Sequence, residues 1–147
     1  MTKKQANRKE TRRPIAFSIS QIELIESSMD IPENFEFKLG EKFTFKLSVD
    51  FSANKEKSLL TVRIGYIFYM EDVAILSMIV NNNYHIANLS TYIINKKFTD
   101  KFFIEYIADL SIDHARGIQS GLIKDTVLNG IFIPIVQLDN IANETIE

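Results

Sequence analysis

The chain contains no cysteine, no tryptophan and only two histidines. Without cysteine, disulfides, thiolate metal sites and cysteine nucleophiles are all excluded. The five glycines are too scattered for a loop that cradles phosphate, and no Gly-x-Ser-x-Gly motif is present. No apolar run approaches the roughly 18 residues that a membrane span needs. The common signatures of nucleotide binding, serine hydrolysis and membrane insertion are therefore missing.

The two histidines do not predict a catalytic or metal site either. His85 and His114 fall on different predicted elements, and neither has a carboxylate or second histidine at the spacing of metal ligands. Asp113 adjoins His114, but adjacent residues of a helix point to different faces. The glutamates are spread over strands and loops without a converging pair. We therefore expect no enzyme, no metal and no cofactor.

Length and composition are those of one ordinary globular domain. The chain has 147 residues, of which 46% are hydrophobic and 24% charged, enough to bury a substantial core. Eleven phenylalanines and five tyrosines make its apolar content unusually aromatic.

Charge is unevenly distributed along the chain. Residues 1–13 hold six basic side chains against one acidic, which leaves 11 basic and 18 acidic for the remainder. With Pro14 as the boundary, we expect a disordered basic arm over 1–14 and a folded domain over 15–147. No apolar stretch of the kind found in secretory signals follows the arm, so a cytoplasmic location is expected.

Two segments alternate strictly between apolar and polar residues. From Lys42 to Phe51 the apolar residues occupy every second position, and the pattern resumes from Leu60 to Met70. Period two predicts strands with one buried face. The polar residues 53–57 between them predict a hairpin turn.

The first and fourth strands are less regular. The apolar positions change phase at Ser20-Gln21, which predicts a β-bulge or a bend in the first strand. The segment from Val73 to Val80 is apolar at nearly every position, so we expect a fourth strand covered on both faces and continuing to Ile86.

A helix follows the strands, with Thr99 as its expected N-cap. Gly117 and Gly121 in the helix predict close approach to a neighbouring element or a break near Gly117. A short last helix is expected over Asp139–Ile146. The fold class is thus α+β: a four-stranded antiparallel sheet, a long helix and a short C-terminal helix. The apolar stripe of the long helix comprises Phe103, Ile107, Leu110, Ala115, Ile118 and Leu122.

Aromatic side chains exceed what one sheet face and one helix stripe need. Phe102 lies off the helix stripe, and Tyr69 lies on the sheet face opposite Phe68. Surplus apolar surface marks an oligomer interface or a binding groove.

Short motifs near the end resemble the export chaperone SecB and its wider family. Ala115-Arg116 matches an Ala-Arg pair in the family's helix, and Thr126 precedes an apolar run that ends at Pro134. Residues 136–139, Val-Gln-Leu-Asp, fit the start of the family's last helix. Arg116-Gly117-Ile118 and Leu128-Asn129 match a divergent branch. The resemblance covers about Phe17 to Ile141, and Ile135 departs from it because the exporter has a second proline there.

The resemblance implies an ATP-independent chaperone that binds unfolded polypeptides, for protein export or for a specific client such as an antitoxin. It implies a homotetramer, built as a dimer of dimers, and the exporter itself also binds a translocase motor. Motor binding stays open here because Lys42, Lys46 and Arg63 lie among the acids of a sheet face that is strongly acidic in the exporter. The expected groove or interface residues are Phe43, Tyr66, Phe68, Tyr69, Phe102, Phe103 and Tyr106.

Two other classes of function remain open from the residues alone. A nucleic-acid-binding module would use sheet aromatics as stacking platforms and residues 1–13 as phosphate contacts, although the body is acidic. A small-ligand protein or enzyme would wrap a curved sheet round the helix and would need a closed pocket with a polar dyad.

Overall fold

The computed structural model describes residues 15–36, 42–135 and 145–147. Within these ranges the main sheet has four antiparallel strands: β1 (Phe17–Met29), β2 (Phe43–Asn54), β3 (Leu59–Met70) and β4 (Val73–Ile86). Their order across the sheet is β1-β4-β3-β2, so β3 and β4 are central. A helix, α1 (Lys101–Ile123), lies over β3 and β4. The predicted α+β fold with a four-stranded antiparallel sheet and a long helix is confirmed.

A compact connection leads from β4 to α1. It comprises a 3₁₀ turn (Leu89–Tyr92) and a small hairpin made by β5 (Ile93–Ile94) and β6 (Lys97–Phe98). Leu89 and Phe98 are buried, which fixes this connection against the end of the core.

The hairpin of β2 and β3 forms because the two alternating segments pair without interruption, from Phe43 opposite Met70 to Asn54 opposite Leu59. The Asn54 side chain accepts a hydrogen bond from the Lys57 backbone N–H at 3.1 Å, which closes the turn. The predicted hairpin is confirmed, with β2 ending at Asn54.

The β1 strand contains the bulge that its phase change predicts. The register shifts between Ile19 and Gln21, and again between Leu24 and Glu26. Because of the first bulge, Ile22 stays on the same face of the sheet as Ile19 despite the change of parity. The second bulge was not predicted.

The fourth strand is only partly as expected. It runs from Val73 to Ile86 as predicted, but Val73 is exposed. Ser77 and Ile79 on the face away from α1 are half-buried, whereas Ile75 of the same segment is fully buried. The expectation of cover on both faces was wrong in this respect.

The helix is one continuous element, and its details correct three predictions. Its N-cap is Asp100, not Thr99: the carboxylate accepts from the Phe103 backbone N–H at 3.0 Å. The helix does not break at Gly117. A Cβ at Gly117 or Gly121 would meet nothing within 4 Å, so the predicted close approach is absent from the described residues.

The buried stripe of α1 is rotated from the predicted one. Ile107 and Ala115 are buried as expected, but Phe103, Leu110, Ile118 and Leu122 are only half-buried. The reason is that the polar side chains of Ser111 and Gln119 are also buried, so the residues beside them on the helix lie on its buried face. The buried residues of the helix are Ile104, Ile107, Ala108, Ser111, Ile112, Ala115, Gln119 and Ile123.

Most of the predicted last helix lies outside the described residues. At its end, Ile146 forms a parallel β-bridge with Phe51. The predicted basic arm over 1–14 and the Val-Gln-Leu-Asp match at 136–139 also lie outside them.

Candidate functional site

The sheet face that meets α1, termed the helix-side face, is wider than the helix that covers it. On the central strand β3, Leu60, Val62 and Ile64 are almost fully buried beneath α1. At the flank, the helix-side residues of β1 remain open to solvent, with 37–47% of their surface exposed. This β1 patch consists of Ile19, Ile22, Leu24 and Met29, which pair with Tyr84, Asn82, Val80 and Leu76 of β4.

Aromatic rings continue the patch onto the start of α1. Phe17 lies two residues before Ile19, and its ring packs edge-on against Phe103 at 5.7 Å and Tyr106 at 6.1 Å between centroids. Tyr106 is 56% exposed and Phe102 is 62% exposed. The β1 patch and these rings form one continuous surface, termed the apolar face. Contiguous exposed apolar surface marks a site of protein contact.

Two of the seven predicted site residues contribute exposed surface to the apolar face, and three others lie beneath it or in the core. Phe102 and Tyr106 belong to the apolar face, and half-buried Phe103 supports it from below through Phe17 and Phe98. Tyr66 and Phe68 are buried in the core of the protomer.

The remaining two predicted residues lie elsewhere on the sheet. Half-buried Phe43 stacks on Phe68 with 5.6 Å between ring centroids, at the β2 end of the helix-side face. Tyr69 is half-buried on the opposite, outer face of the sheet. The structure thus divides the predicted residues among the apolar face, the core and the outer face.

Sequence reasoning missed the β1 patch. Its signal in the sequence was the phase change at Ser20-Gln21, because the bulge there keeps the apolar residues of β1 on one face. Whether that face is exposed depends on how much of the sheet α1 covers, which the sequence does not show. Phe45 was also expected to be buried, and 43% of its surface is exposed because the helix does not extend over β2 either.

Two polar links fix α1 on the sheet. The Tyr84 hydroxyl lies 2.7 Å from Ser111 Oγ, which donates to the Ile107 carbonyl at 2.7 Å. Burial raises the pKa of the Tyr84 phenol, and the bond to Ser111 partly offsets this rise. Both hydroxyls are satisfied, so this buried contact stabilises a single position of the helix.

The second link joins His114 to the fully buried amide of Asn82. His114 Nδ1 lies 2.7 Å from Asn82 Oδ1, and Asn82 Nδ2 donates to the Val62 carbonyl at 3.2 Å. Burial lowers the pKa of His114, and the charge of neighbouring Asp113 opposes this shift. His114 therefore connects the helix to β4 and, through Asn82, to β3.

Arg116 holds the segment that follows the helix. Its guanidinium donates to the Ile133 carbonyl at 2.9 Å and the Pro134 carbonyl at 2.8 Å, and it also bonds Asp113. Gln119 Oε1 accepts from the Ile133 backbone N–H at 3.2 Å. The arginine and the proline of the motif that resembles SecB are thus in direct contact, and Ile133 is buried between them and the core.

Thr126 shapes the turn between α1 and that segment. Its hydroxyl donates to the Ile123 carbonyl at 2.9 Å and accepts from the Leu128 backbone N–H at 3.1 Å. Leu128 is fully buried as a result of this turn. The threonine of the motif therefore ends the helix and returns the chain to the core.

The outer face of the sheet carries a shallow hollow of about 380 Å³ over Gly65. A Cβ at Gly65 would come within 2.4 Å of Ser48 Oγ, so a larger residue there would require the Ser48 side chain to move. Glu26 and Lys46 lie at its rim, and Ile67 and Ile79 line it. This face is of mixed charge.

The described residues hold no group of three or more histidine or acidic side chains placed to bind a metal ion. The described part of the chain also has no helix with the length and apolar character that a bilayer crossing requires.

No protein-family model matches the sequence, and no curated protein matches it significantly. Among solved structures, the fold is similar to the SecB-like chaperone Rv1957 of Mycobacterium tuberculosis, which was solved in complex with a ChAD peptide from the antitoxin HigA1 (Rv1956). The TM-score is 0.57 at 13% identity, with 82% of this chain and 90% of that chain covered. The fold of this protein is therefore SecB-like.

A second solved structure, a protein of unknown function from Streptococcus agalactiae, has a TM-score of 0.48 at 14% identity. The match covers 84% of this chain and 100% of that one. This similarity is too distant to support an argument.

Proposed function

We propose that this protein is an ATP-independent chaperone that holds unfolded or extended polypeptides. The observation that carries the proposal is the aromatic part of the apolar face, where Phe102 and Tyr106 are exposed and Phe17 packs against Tyr106. The SecB-like fold supports it, because Rv1957, which has that fold, was solved with a peptide from an antitoxin.

The chemistry of the apolar face fits client holding better than catalysis. Aliphatic and aromatic side chains bind apolar segments of many sequences, since burial of apolar area is not directional. Holding the unfolded state lowers the concentration of free chains that aggregate, by mass action and without nucleotide. The protein acts in this proposal as a binding protein and not as an enzyme.

The β1 edge is assigned to self-association. Within the described residues, β1 pairs with β4 on one side and with no strand on the other. An unpaired edge beside exposed apolar side chains is a template for a second chain. We propose a homotetramer, a dimer of dimers, in which several weak client sites combine through effective concentration.

The predicted site residues have different parts in this proposal. Phe102 and Tyr106 contact the client, while Phe103 and Phe43 support the rims of the helix-side face. Tyr66 and Phe68 fill the core beneath that face, and Tyr69 belongs to the outer surface.

The clients are precursor or otherwise unfolded polypeptides, with an antitoxin as one specific case. The mixed charge around Glu26 and Lys46 favours a client-specific role over docking on a translocase motor, because the exporter uses an acidic face for the motor. The expected site of action is the cytoplasm.

The direct test is suppression of aggregation of thermally unfolding citrate synthase, followed by light scattering without ATP. We expect suppression at about one chaperone oligomer per client chain. Phe102→Ser combined with Tyr106→Ser is expected to raise the chaperone concentration needed by about tenfold, because two exposed rings leave the contact surface.

The matched control is Asp109→Ser on the exposed surface of the same helix, which should suppress as well as the original protein. Aggregation that proceeds unchanged at a several-fold excess of the original protein would overturn the proposal.

A further inference from the structure

The outer edge of β2 already carries a short added strand, formed by Ile146 and Glu147. The Glu147 backbone N–H donates to the Phe51 carbonyl at 3.0 Å, and the Ala53 N–H donates to the Glu147 carbonyl at 2.8 Å. Ile146 and Phe51 form a parallel bridge, and the Ile146 side chain is buried. This edge therefore accepts a parallel strand with regular backbone hydrogen bonds.

Among the described residues, no strand pairs with the same edge further towards the start of β2. The β2–β3 register has no bulge, so residues two apart from Phe51 present their backbone groups to the same side. These are Val49, Leu47 and Phe45, and no backbone hydrogen bond to this side is made by any of the three within the described part of the chain. Five residues of strand, about 17 Å, are thus open for pairing.

The side chains beside this edge define what fits it. On the helix-side face, an added strand meets the exposed ring of Phe45 and half-buried Leu47 and Val49. On the outer face it meets exposed Lys46, Ser48 and Asp50. Because side chains of a strand alternate between faces, the fitting segment alternates apolar and polar residues.

We propose that an extended client segment of this alternating kind adds to the sheet along Phe45–Ala53 and displaces Ile146 and Glu147 from β2. The inference rests on the proposed function and names the second contact by which a client is held. Backbone pairing supplies affinity without a fixed sequence, and the alternate side chains supply selectivity.

The displaced segment sets a length threshold for clients. A segment that pairs only with Phe45–Val49 leaves Ile146 in place, whereas a longer one that also reaches Phe51 and Ala53 has to compete with it. The Ile146 backbone also donates to the Lys96 carbonyl at 2.7 Å, so the competition includes a bond to the β5–β6 turn. A client therefore extends along the whole edge only if its own backbone bonds to Phe51 and Ala53 replace those that Ile146 and Glu147 lose.

The experiment uses a fluorescein-labelled peptide of nine alternating valines and threonines with two terminal lysines for solubility. Its binding to the full chain is measured by fluorescence anisotropy. N-methylation of alternate peptide nitrogens on the pairing side is expected to weaken binding at least about tenfold, because those N–H donors are lost and the methyl groups obstruct pairing.

Amide exchange measured by NMR on the unaltered protein locates the contact. The backbone amides of Phe45, Leu47 and Val49 are expected to exchange at least about tenfold more slowly with the unmethylated peptide than without it. Ile146→Ser is expected to tighten peptide binding about five- to tenfold by weakening the competing strand. Thr145→Ser, at the exposed neighbouring position, should leave binding unchanged.

The outcomes separate this inference from the proposed function. Equal binding of both peptides, with unchanged exchange at the three amides, overturns pairing at β2 even where aggregation is suppressed. Slowed exchange that depends on protein concentration and not on peptide also overturns it, since the edge then pairs with a second copy. Failure to suppress aggregation, by contrast, counts against the chaperone proposal itself.

Discussion

At the scale of single residues, Arg116 explains why an arginine in the helix and a distant proline occur together. The guanidinium bonds two consecutive carbonyls, at Ile133 and Pro134, which a lysine cannot bridge in the same way. The pair is thus one structural unit, although it is separated in sequence by more than a dozen residues.

Arg116→Lys is expected to lower the free energy of unfolding by about 1–3 kcal/mol, because charged hydrogen bonds to the Ile133 and Pro134 carbonyls are lost, the first of them part-buried. Urea denaturation measures the change, and amide exchange at Ile133 should accelerate. Arg63→Lys is the control, since the one hydrogen bond of the exposed Arg63 side chain to the residues described is to Asn81. An unchanged urea midpoint for Arg116→Lys would show that the segment is held by Ile133 and Leu128 alone.

The His114 link makes stability depend on pH in a defined direction. Burial holds the folded-state pKa of His114 below its ordinary value of 6.5, so the unfolded chain binds the proton at a higher pH. The contribution of neutral His114 to the free energy of unfolding is therefore complete above about pH 6.5. It is lost as the pH falls from there through the folded-state pKa.

Urea midpoints at about pH 5 and about pH 8 are expected to differ more for the original protein than for His114→Gln. His85→Gln, at an exposed position of β4, should keep the original difference. If both variants keep it, His114 is not the source of the pH dependence.

At the scale of elements, the regular strands were predictable and the helix face was not. Strict alternation in β2 and β3 specifies both faces locally, and the phase change in β1 specifies a bulge. The buried stripe of α1 depends instead on partners that sequence does not show, namely Tyr84 for Ser111 and Ile133 for Gln119. Ser111 and Gln119 therefore fall outside the predicted apolar stripe, although both side chains are buried.

Substitutions at Gly117, inside the helix, and at Gly130, which has a positive φ, test helix propensity and backbone strain separately. Gly117→Ala is expected to stabilise the protein by about 0.5–1 kcal/mol, because the helix gains a better former and the new Cβ meets open space. Gly130→Ala should destabilise by about 1 kcal/mol, since Gly130 has φ +99°. Thermal unfolding measures both. Destabilisation by Gly117→Ala would indicate that this helix surface is closely covered in an oligomer.

At the scale of the whole molecule, the apolar face exists because the four-stranded sheet is wider than the helix α1 that packs on it. In the described part of the chain, α1 covers the two central strands, while apolar side chains of both flanking strands, such as Ile22 and Phe45, remain exposed. The aromatic surplus predicted such a surface, but its place depends on the position of α1 over the sheet. That position is fixed by contacts between residues about 30 positions apart, such as His114 with Asn82.

Ile22→Lys is expected to convert the proposed oligomer into smaller species, because a charge enters the centre of the β1 patch. Light scattering coupled to size exclusion gives the mass, and circular dichroism should show an intact fold. Glu23→Lys, which faces the opposite side of β1, is the matched control. A monomeric mass for the original protein at micromolar concentration would contradict assembly through β1.

The two bulges of β1 also limit what can grow from its open edge. Each extra residue bends and twists the strand. A second chain can therefore form backbone hydrogen bonds with only a few consecutive residues of β1 before the two strands diverge. The two extra residues, Ser20 and Ile25, therefore make this edge a poor template for a fibre that grows by repeated strand addition.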